Sequence, residues 1–271
     1  YSNSSGSLTI SGDENDSLTA QGGDSRNGIY SVSGDVTISG GTVTATGGNS
    51  TGSYGSGGDG IHSGSLTISG GTVTATGGGS TGSNGLGGRG ICSDSGGVTI
   101  SGGTVKATGG NGDYSGGDGI SSSDRVAISG GTVTANGGDS SSRKGASGIS
   151  SSSGVTVSGG TVNANGGNGD YNGGSGISSF DRVAVSGGTV TANGGSGNFS
   201  GGDGISSSGI DLSGSLELTA KAGKGTQSNG KALSQNGREL DLNAIKDKLG
   251  PGAKVTATDA DGKVIRSAEH T

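Results

Sequence analysis

Ser69-Gly70-Gly71-Thr72-Val73-Thr74-Ala75-Thr76-Gly77-Gly78 is the unit on which the chain is built. Near-copies stand at 39–48, 101–110, 129–138, 158–167 and 186–195. Each copy follows a short apolar triplet, such as Leu66-Thr67-Ile68. Each is followed by a Gly-rich loop and a Gly-Ile pair, such as Gly60-Ile61. Triplet, Gly-Gly corner, T-V-T-A segment, loop and Gly-Ile fill the whole period, and a fixed period of this kind marks a repeat architecture. Aligned on the triplets, eight coils begin at Leu8, Val36, Leu66, Val98, Val126, Val155, Val183 and Ile210, with spacings of 28, 30, 32, 28, 29, 28 and 27 residues. Most of the variation falls in the loop before Gly-Ile, where insertions are tolerated.

Each coil reads as three short strands. Leu66 and Ile68 lie on one face of the first, Val73 and Ala75 on one face of the second, Ile61 and Ser63 on one face of the third. Strict alternation over three to five residues between glycines is a strand signal. No hairpin of matched strands exists within a coil, so each strand pairs with its counterpart in the next coil, parallel and in register. The expected fold is an all-β parallel β-helix (β-solenoid) of about eight three-strand coils, and crossover chirality makes the expected hand right-handed. One coil contributes only a handful of small apolar side chains, against an ordering cost of ~1–2 kcal/mol per residue. Stacking therefore has to supply the stability, with Val over Val and Ala over Ala at ~4.8 Å. The Gly-Gly pairs are expected at corners that need φ > 0.

The composition agrees with a thin stacked core. Gly makes up 68 of 271 residues with one Pro, which excludes collagen, and only 25% of residues are hydrophobic. Low hydrophobicity alone would suit disorder, but Val, Ile, Leu and Ala recur at fixed places. Residues 1–220 carry 7 Lys+Arg against 16 Asp+Glu, net −9, while 221–271 carry 9 against 6, net +3. The acidic repeat body makes nucleic acid an unsuitable partner. No apolar run reaches membrane-spanning length. The start at Tyr1, inside a repeat and without a signal peptide, is expected of a piece of something longer. Cys92 stands alone, so no intrachain disulfide is expected.

The repeat body is placed at 1–223 and a small α+β cap at 224–271. In the cap, 232–234 resembles a last third strand and 242–249 a short helix with Asp241 as N-cap, Gly250 after it and Pro251 as the stop. Segments 255–257 and 263–265 suit a hairpin around Asp259-Ala260-Asp261-Gly262. A β-helix end must be covered, or its edge pairs with other chains. At the other end, the Asp13-Glu14-Asn15-Asp16 insertion or preceding sequence would serve as cover.

Four features compete as sites. One is the outward threonine array: Thr42, Thr44, Thr46, Thr72, Thr74, Thr76, Thr104, Thr108, Thr132, Thr134, Thr161, Thr189 and Thr191. Its spacing, ~6.6 Å along and ~4.8 Å between strands, resembles the ice-binding face of insect-type antifreeze β-helices. Outward Thr is also simply a good residue for a solvated strand, and Lys106, Asn136, Asn163, Asn165 and Asn193 interrupt the array. The second is a loop row six residues before each Gly-Ile isoleucine: Tyr114, Arg143, Tyr171 and Phe199, with Tyr54 one residue off. With Asp113, Asp170, Asn168 and Asn198 beside it, the row suits sugar rings, or else a purely structural ladder with Arg143 as a cation–π clamp. The third is the acid set Asp59, Asp118 and Asp203 before Gly-Ile. Arg89, Ser147 and Ser175 occupy the intervening places, so no close carboxylate pair is enforced, and turn chemistry accounts for these residues. The fourth comprises Asp124-Arg125 and Asp181-Arg182, expected as corner ion pairs. Cys92 is expected to point outward in line with Tyr30, His62, Ser121, Ser150, Ser178 and Ser206, without a partner. No catalytic residue, metal site or cofactor is expected.

The V-T-I-S-G-G-T-V-T-A-T-G-G pattern with its Gly-Ile loop resembles Gly/Thr-rich repeats of secreted bacterial surface proteins, some of them carbohydrate-binding domain-containing proteins. The resemblance covers roughly 8–223. It implies a secreted or cell-surface role and leaves the ligand open. The expectation is a non-catalytic extracellular β-solenoid in adhesion or carbohydrate binding, with a polysaccharide or host or cell-surface glycan as partner. The alternatives are an ice-binding protein with the ice crystal surface as partner, and a passive stalk.

Overall fold

The computed structural model describes residues 6–270 and is a parallel β-helix of about eight turns, as the repeat pattern requires. The first face stacks the apolar triplets from Leu8–Ile10 through Asp35–Ile38, Ser65–Ile68, Val98–Ile100, Val126–Ile128 and Val155–Val157, residue over residue. The second face is a ten-stranded sheet running from Ser17–Gln21 to Val264–Glu269. Its register is strict: Val73 pairs with Val105, Val105 with Val133, and Val133 with Val162. The third face stacks Gly-Ile strands such as Ile61–Ser63, Ile91–Ser93 and Ile120–Ser122. Two strands, Ile177–Val185 and Ile205–Leu212, run unbroken from the third face onto the first, which joins those faces into one sheet.

The core is the inward set of the three faces: Ile38, Leu66, Ile68, Ile91, Ile120, Ile149 and Ile177 are all below 2% exposed, with the Val and Ala stacks beside them. Each side chain lies between its equivalents in the coils above and below, so its burial depends on stacking. The third face turns serines inward as well. The buried Ser93 hydroxyl has the Gly64 and Gly96 carbonyls at 2.6 and 2.7 Å as alternative acceptors for its one proton.

The two Gly-Gly corners have different physics. In Ser-Gly-Gly-Thr the second glycine has positive φ, for example Gly71 at 84°, as expected. In Thr-Gly-Gly neither glycine does, which corrects the expectation for this corner. There the cause is close approach: a Cβ on Gly78 would lie 2.0 Å from the Gly48 carbonyl oxygen. The lack of Cβ lets two glycine columns interleave at the neck of each loop. Gly58 N–H donates to Gly48, Gly78 to Gly58, Gly88 to Gly78 and Gly110 to Gly88, all at 2.7–2.8 Å. This backbone zipper holds the loops in register, and the loops themselves form parallel bridges such as Leu86↔Ser115 and Ser115↔Lys144.

Towards the C-terminus, Leu233–Gln235 adds a rung to the third face and Lys254–Thr258 adds one to the second, Val255 over Leu218 and Ala257 over Ala220. Lys254-Val255-Thr256-Ala257-Thr258 is thus a further copy of the T-V-T-A-T strand, and Val264–Glu269 folds back antiparallel along its edge. The helix Leu242–Lys248 is 3₁₀, not α, with Asp241 accepting from Asn243 N–H at 3.0 Å. A 3₁₀ turn eclipses i and i+3, which puts Leu242 and Ile245 together on the core. Among the described residues no helix is long and apolar enough to cross a membrane.

The corner ion pairs differ from expectation. Arg182 pairs with Asp211 of the next coil rather than with Asp181, because Asp211 projects from the adjacent first-face rung. Among the described residues neither Asp124 nor Arg125 makes an ion pair.

Candidate functional site

The loop flank is built from side chains that mimic the backbone ladder. Asn49 Oδ1 accepts Gly79 N–H, Asn111 accepts Asp139 N–H, Asp139 accepts Asn168 N–H and Asn168 accepts Ser196 N–H, at 2.8–2.9 Å. On this base the bridges Ser115↔Lys144, Lys144↔Asn172 and Asn172↔Ser200 align Tyr114, Arg143, Tyr171 and Phe199 in one column. The Arg143 guanidinium carbon lies 5.0 Å from the Tyr114 ring centroid. Tyr171 and Phe199 stack with centroids 4.6 Å apart and planes 3° apart. The rings therefore cover one another's faces, while all three aromatics stay between 42 and 50% exposed. Ahead of Tyr114 the same column holds Gly85 and Gly55, with Tyr114 N–H bonded to the Gly85 carbonyl at 2.9 Å. Glycine gives the column itself no side chain at those two rungs. Tyr54 stands in the neighbouring column, at φ 58° over Asn84 at φ 57°, which explains its offset of one residue.

The two flank carboxylates are engaged between coils. Asp113 accepts from Asn84 N–H and from the Ser141 hydroxyl, both at 2.8 Å, and these bonds hold its carboxyl below the usual range. Asp170 accepts from the Asn198 amide at 2.8 Å.

On the second face the threonines stand in register as expected, the first rank exposed and the others partly so. Lys106 is exposed in the middle rank. The asparagines of the last rank form an amide ladder, Asn165 to Asn136 at 2.9 Å and Asn193 to Asn165 at 2.8 Å. The acids before Gly-Ile act as rung links: Asp118 accepts Ser147 N–H at 2.9 Å and Asp203 accepts Lys231 N–H at 2.7 Å.

Asp59 belongs to the same column but to a different site. It accepts Arg89 N–H at 2.7 Å, pairs with the Arg89 guanidinium at 3.1–3.2 Å, and contacts His62 Nδ1 at 2.6 Å. His62 Nε2 lies 2.5 Å from Asp94 Oδ2, and Cys92 Sγ lies 3.8 Å from Asp94 Oδ1. Tyr30 meets the imidazole edge-on at 5.3 Å. Cys92 is in line with His62, as expected, but buried (2% exposed) and with Asp94 as partner, contrary to expectation.

A beta helix repeat family model matches residues 66–88, 98–124 and 126–153, within coils three to five. This chain is a β-helix repeat protein. No curated protein and no solved structure matches it.

In this β-helix repeat protein Asp59, His62 and Cys92 shift one another's titration. Burial alone would raise the Asp59 carboxyl, but the His62 and Arg89 contacts reverse this and hold it below its ordinary value. The Asp59 hydrogen bond, with Asp94 behind it, raises His62 against burial. Burial pushes the Cys92 thiol up to about 12. One donor atom from each of Asp59, His62 and Cys92 lies within 4.8 Å of the others, the sole such metal-capable trio among the described residues. No single stretch of sequence shows it, because its residues come from adjacent coils. The signal lies across coils: the column Tyr30, His62, Cys92 continues as Ser121, Ser150, Ser178 and Ser206.

Proposed function

We propose that this β-helix is a non-catalytic, extracellular or cell-surface protein that binds polysaccharide along its loop flank, in adhesion or carbohydrate binding. The observation that carries this reading is the half-open ring of Tyr114. Arg143 covers one face, and on the other side the column has Gly85 and Gly55, which carry no side chain. Two rungs span ~9.6 Å, enough for a sugar ring to stack on the tyrosine. Arg143, Asp113 and Asn84 stand beside it as polar groups for hydroxyls. Tyr171 and Phe199, stacked on each other, support the column more than they contact a ligand.

The test is binding of the full chain to a panel of immobilised polysaccharides, with and without Ca²⁺. Binding to a member of the panel that disappears in Tyr114→Ala and persists in Phe199→Ala is the expected result. Absence of binding to every member refutes the reading. Ice-recrystallisation inhibition that is lost in Thr74→Tyr would assign function to the second face instead.

A further inference from the structure

We propose that Asp59, His62 and Cys92 hold one divalent transition-metal ion of zinc-like chemistry, with Arg89 and Asp94 as support. A carboxylate oxygen, an imidazole nitrogen and the thiol sulfur, one atom from each of the three residues, all lie within 4.8 Å of one another. Ligands of a tetrahedral ion with bonds of ~2.0–2.3 Å stand ~3.3–3.8 Å apart, so small side-chain rotations bring the three donors onto one ion. Carboxylate, imidazole and thiolate together suit a borderline-soft ion such as zinc, whereas calcium and magnesium take oxygen ligands.

Two adjacent rungs supply the set. His62 and Cys92 are register partners on the third face, and Asp59 precedes His62 by three residues in the same coil. Asp59 Oδ2 and His62 Nδ1, at 2.6 Å, share a proton that the ion would replace. Asp59 and Cys92 are both buried, so little water competes for their donor atoms. Burial pushes the Cys92 thiol up to about 12, and a coordinating thiol is deprotonated outright, so binding releases protons.

The support is already in place. Arg89 grips Asp59 through its N–H at 2.7 Å and its guanidinium at 3.1–3.2 Å. Asp94 Oδ2 lies 2.5 Å from His62 Nε2. Each ring nitrogen thus has a carboxylate partner, and whichever nitrogen ligates, the other stays hydrogen-bonded, the usual way a histidine is oriented for a metal. Arg89 offsets the charge of Asp59, so the Cys92 thiolate and Asp94 remain as two negative charges for a divalent cation. Asp94 is about half exposed, which opens the centre to solvent.

Stacking does not explain these residues. In the His62–Cys92 column the next rungs carry Ser121, Ser150, Ser178, Ser206 and Ser234 with the same register. The chain places its single cysteine and one of its two histidines on neighbouring rungs at this point.

The test is titration of the full chain with Co²⁺ followed by absorption, with Zn²⁺ competition and calorimetry. One equivalent of Co²⁺ is expected, with a thiolate-to-cobalt charge-transfer band that Zn²⁺ abolishes. Cys92→Ser installs the residue of the later rungs and should keep the fold by circular dichroism; it is expected to lose the band. Asp94→Asn is expected to keep the band and to weaken Zn²⁺ binding by ~10–100-fold, as for a group that supports a ligand. Asp59→Asn, which keeps an acceptor for the Arg89 N–H, is expected to weaken binding further than Asp94→Asn does. His270→Ala is expected to bind as the parent does. Absence of a charge-transfer band in the parent chain, Zn²⁺ affinity unchanged in folded Cys92→Ser, or a smaller loss in folded Asp59→Asn than in Asp94→Asn overturns the assignment.

Discussion

Gly78 and Gly79 are adjacent, neither has positive φ, and alanine at the two positions should give opposite results. A Cβ at Gly78 would lie 2.0 Å from the Gly48 oxygen, whereas ordinary contact begins at 3.4 Å. The coils must then part by about 1.4 Å at the loop neck, the difference of those two distances. Two bonds cross that seam: Gly78 N–H to Gly58 and Gly47 N–H to Thr76, each 2.8 Å. Stretched by that amount they pass the limit of a hydrogen bond. A buried backbone group left unsatisfied costs ~1–3 kcal/mol, so the loss is roughly 2–6 kcal/mol. That is comparable to the ~5–15 kcal/mol total stability of a typical domain. At Gly79 the nearest atoms are 3.6 and 3.7 Å away, and its N–H bond to Asn49 survives. Alanine there restricts the unfolded chain and should stabilise by about 0.4–1 kcal/mol. Urea unfolding followed by far-UV circular dichroism compares the two midpoints. A Gly78→Ala protein within about 1 kcal/mol of Gly79→Ala would refute the close-approach account of this corner.

Three further outcomes follow from the ladders. Asp118 titrates above its ordinary 3.8 because of burial, against the opposing Ser147 N–H bond and the charges of Arg89 and Lys144. The folded state thus holds the proton more tightly than the unfolded chain, and stability falls as pH rises from 3.8 through the folded value. Asp118→Asn should be more stable than the parent at neutral pH and equal to it in acid, as read by thermal unfolding across pH; Asn27, which accepts Asp59 N–H at 2.8 Å, shows that an amide serves at this rung. Asn165→Ala removes two amide bonds of the second-face ladder and should cost ~1–3 kcal/mol in chemical denaturation, at ~0.5–1.5 kcal/mol each. Phe199→Ala should lose the stacking energy with Tyr171, ~0.5–1.5 kcal/mol beyond burial, measured as a lowered urea midpoint.

The fold was legible in the sequence because the repeat is its own alignment. Val73, Val105 and Val133 recur at one place in every period, and strict alternation makes the inward face readable without coordinates. The threonine grid and the Tyr114–Phe199 column followed from the same register. The final strand of this kind, K-V-T-A-T at Lys254–Thr258, is not legible as a rung because the 3₁₀ turn Leu242–Lys248 stands where a triplet announces every other coil.

What the sequence by itself determined is therefore whatever depends on one period: strands, their inward residues and the stacking of like on like. Only the tertiary structure decided what depends on atoms brought together across coils. It distinguished the positive φ of Gly71 from the close approach of Gly78, although both read as Gly-Gly. It joined Asp59 and His62 of one coil to Arg89, Cys92 and Asp94 of the next, about 30 residues on. The physical reason is that strand pattern is encoded by side chains a few residues apart. A site between coils is set instead by rung spacing and rotamers, which no single stretch of sequence contains.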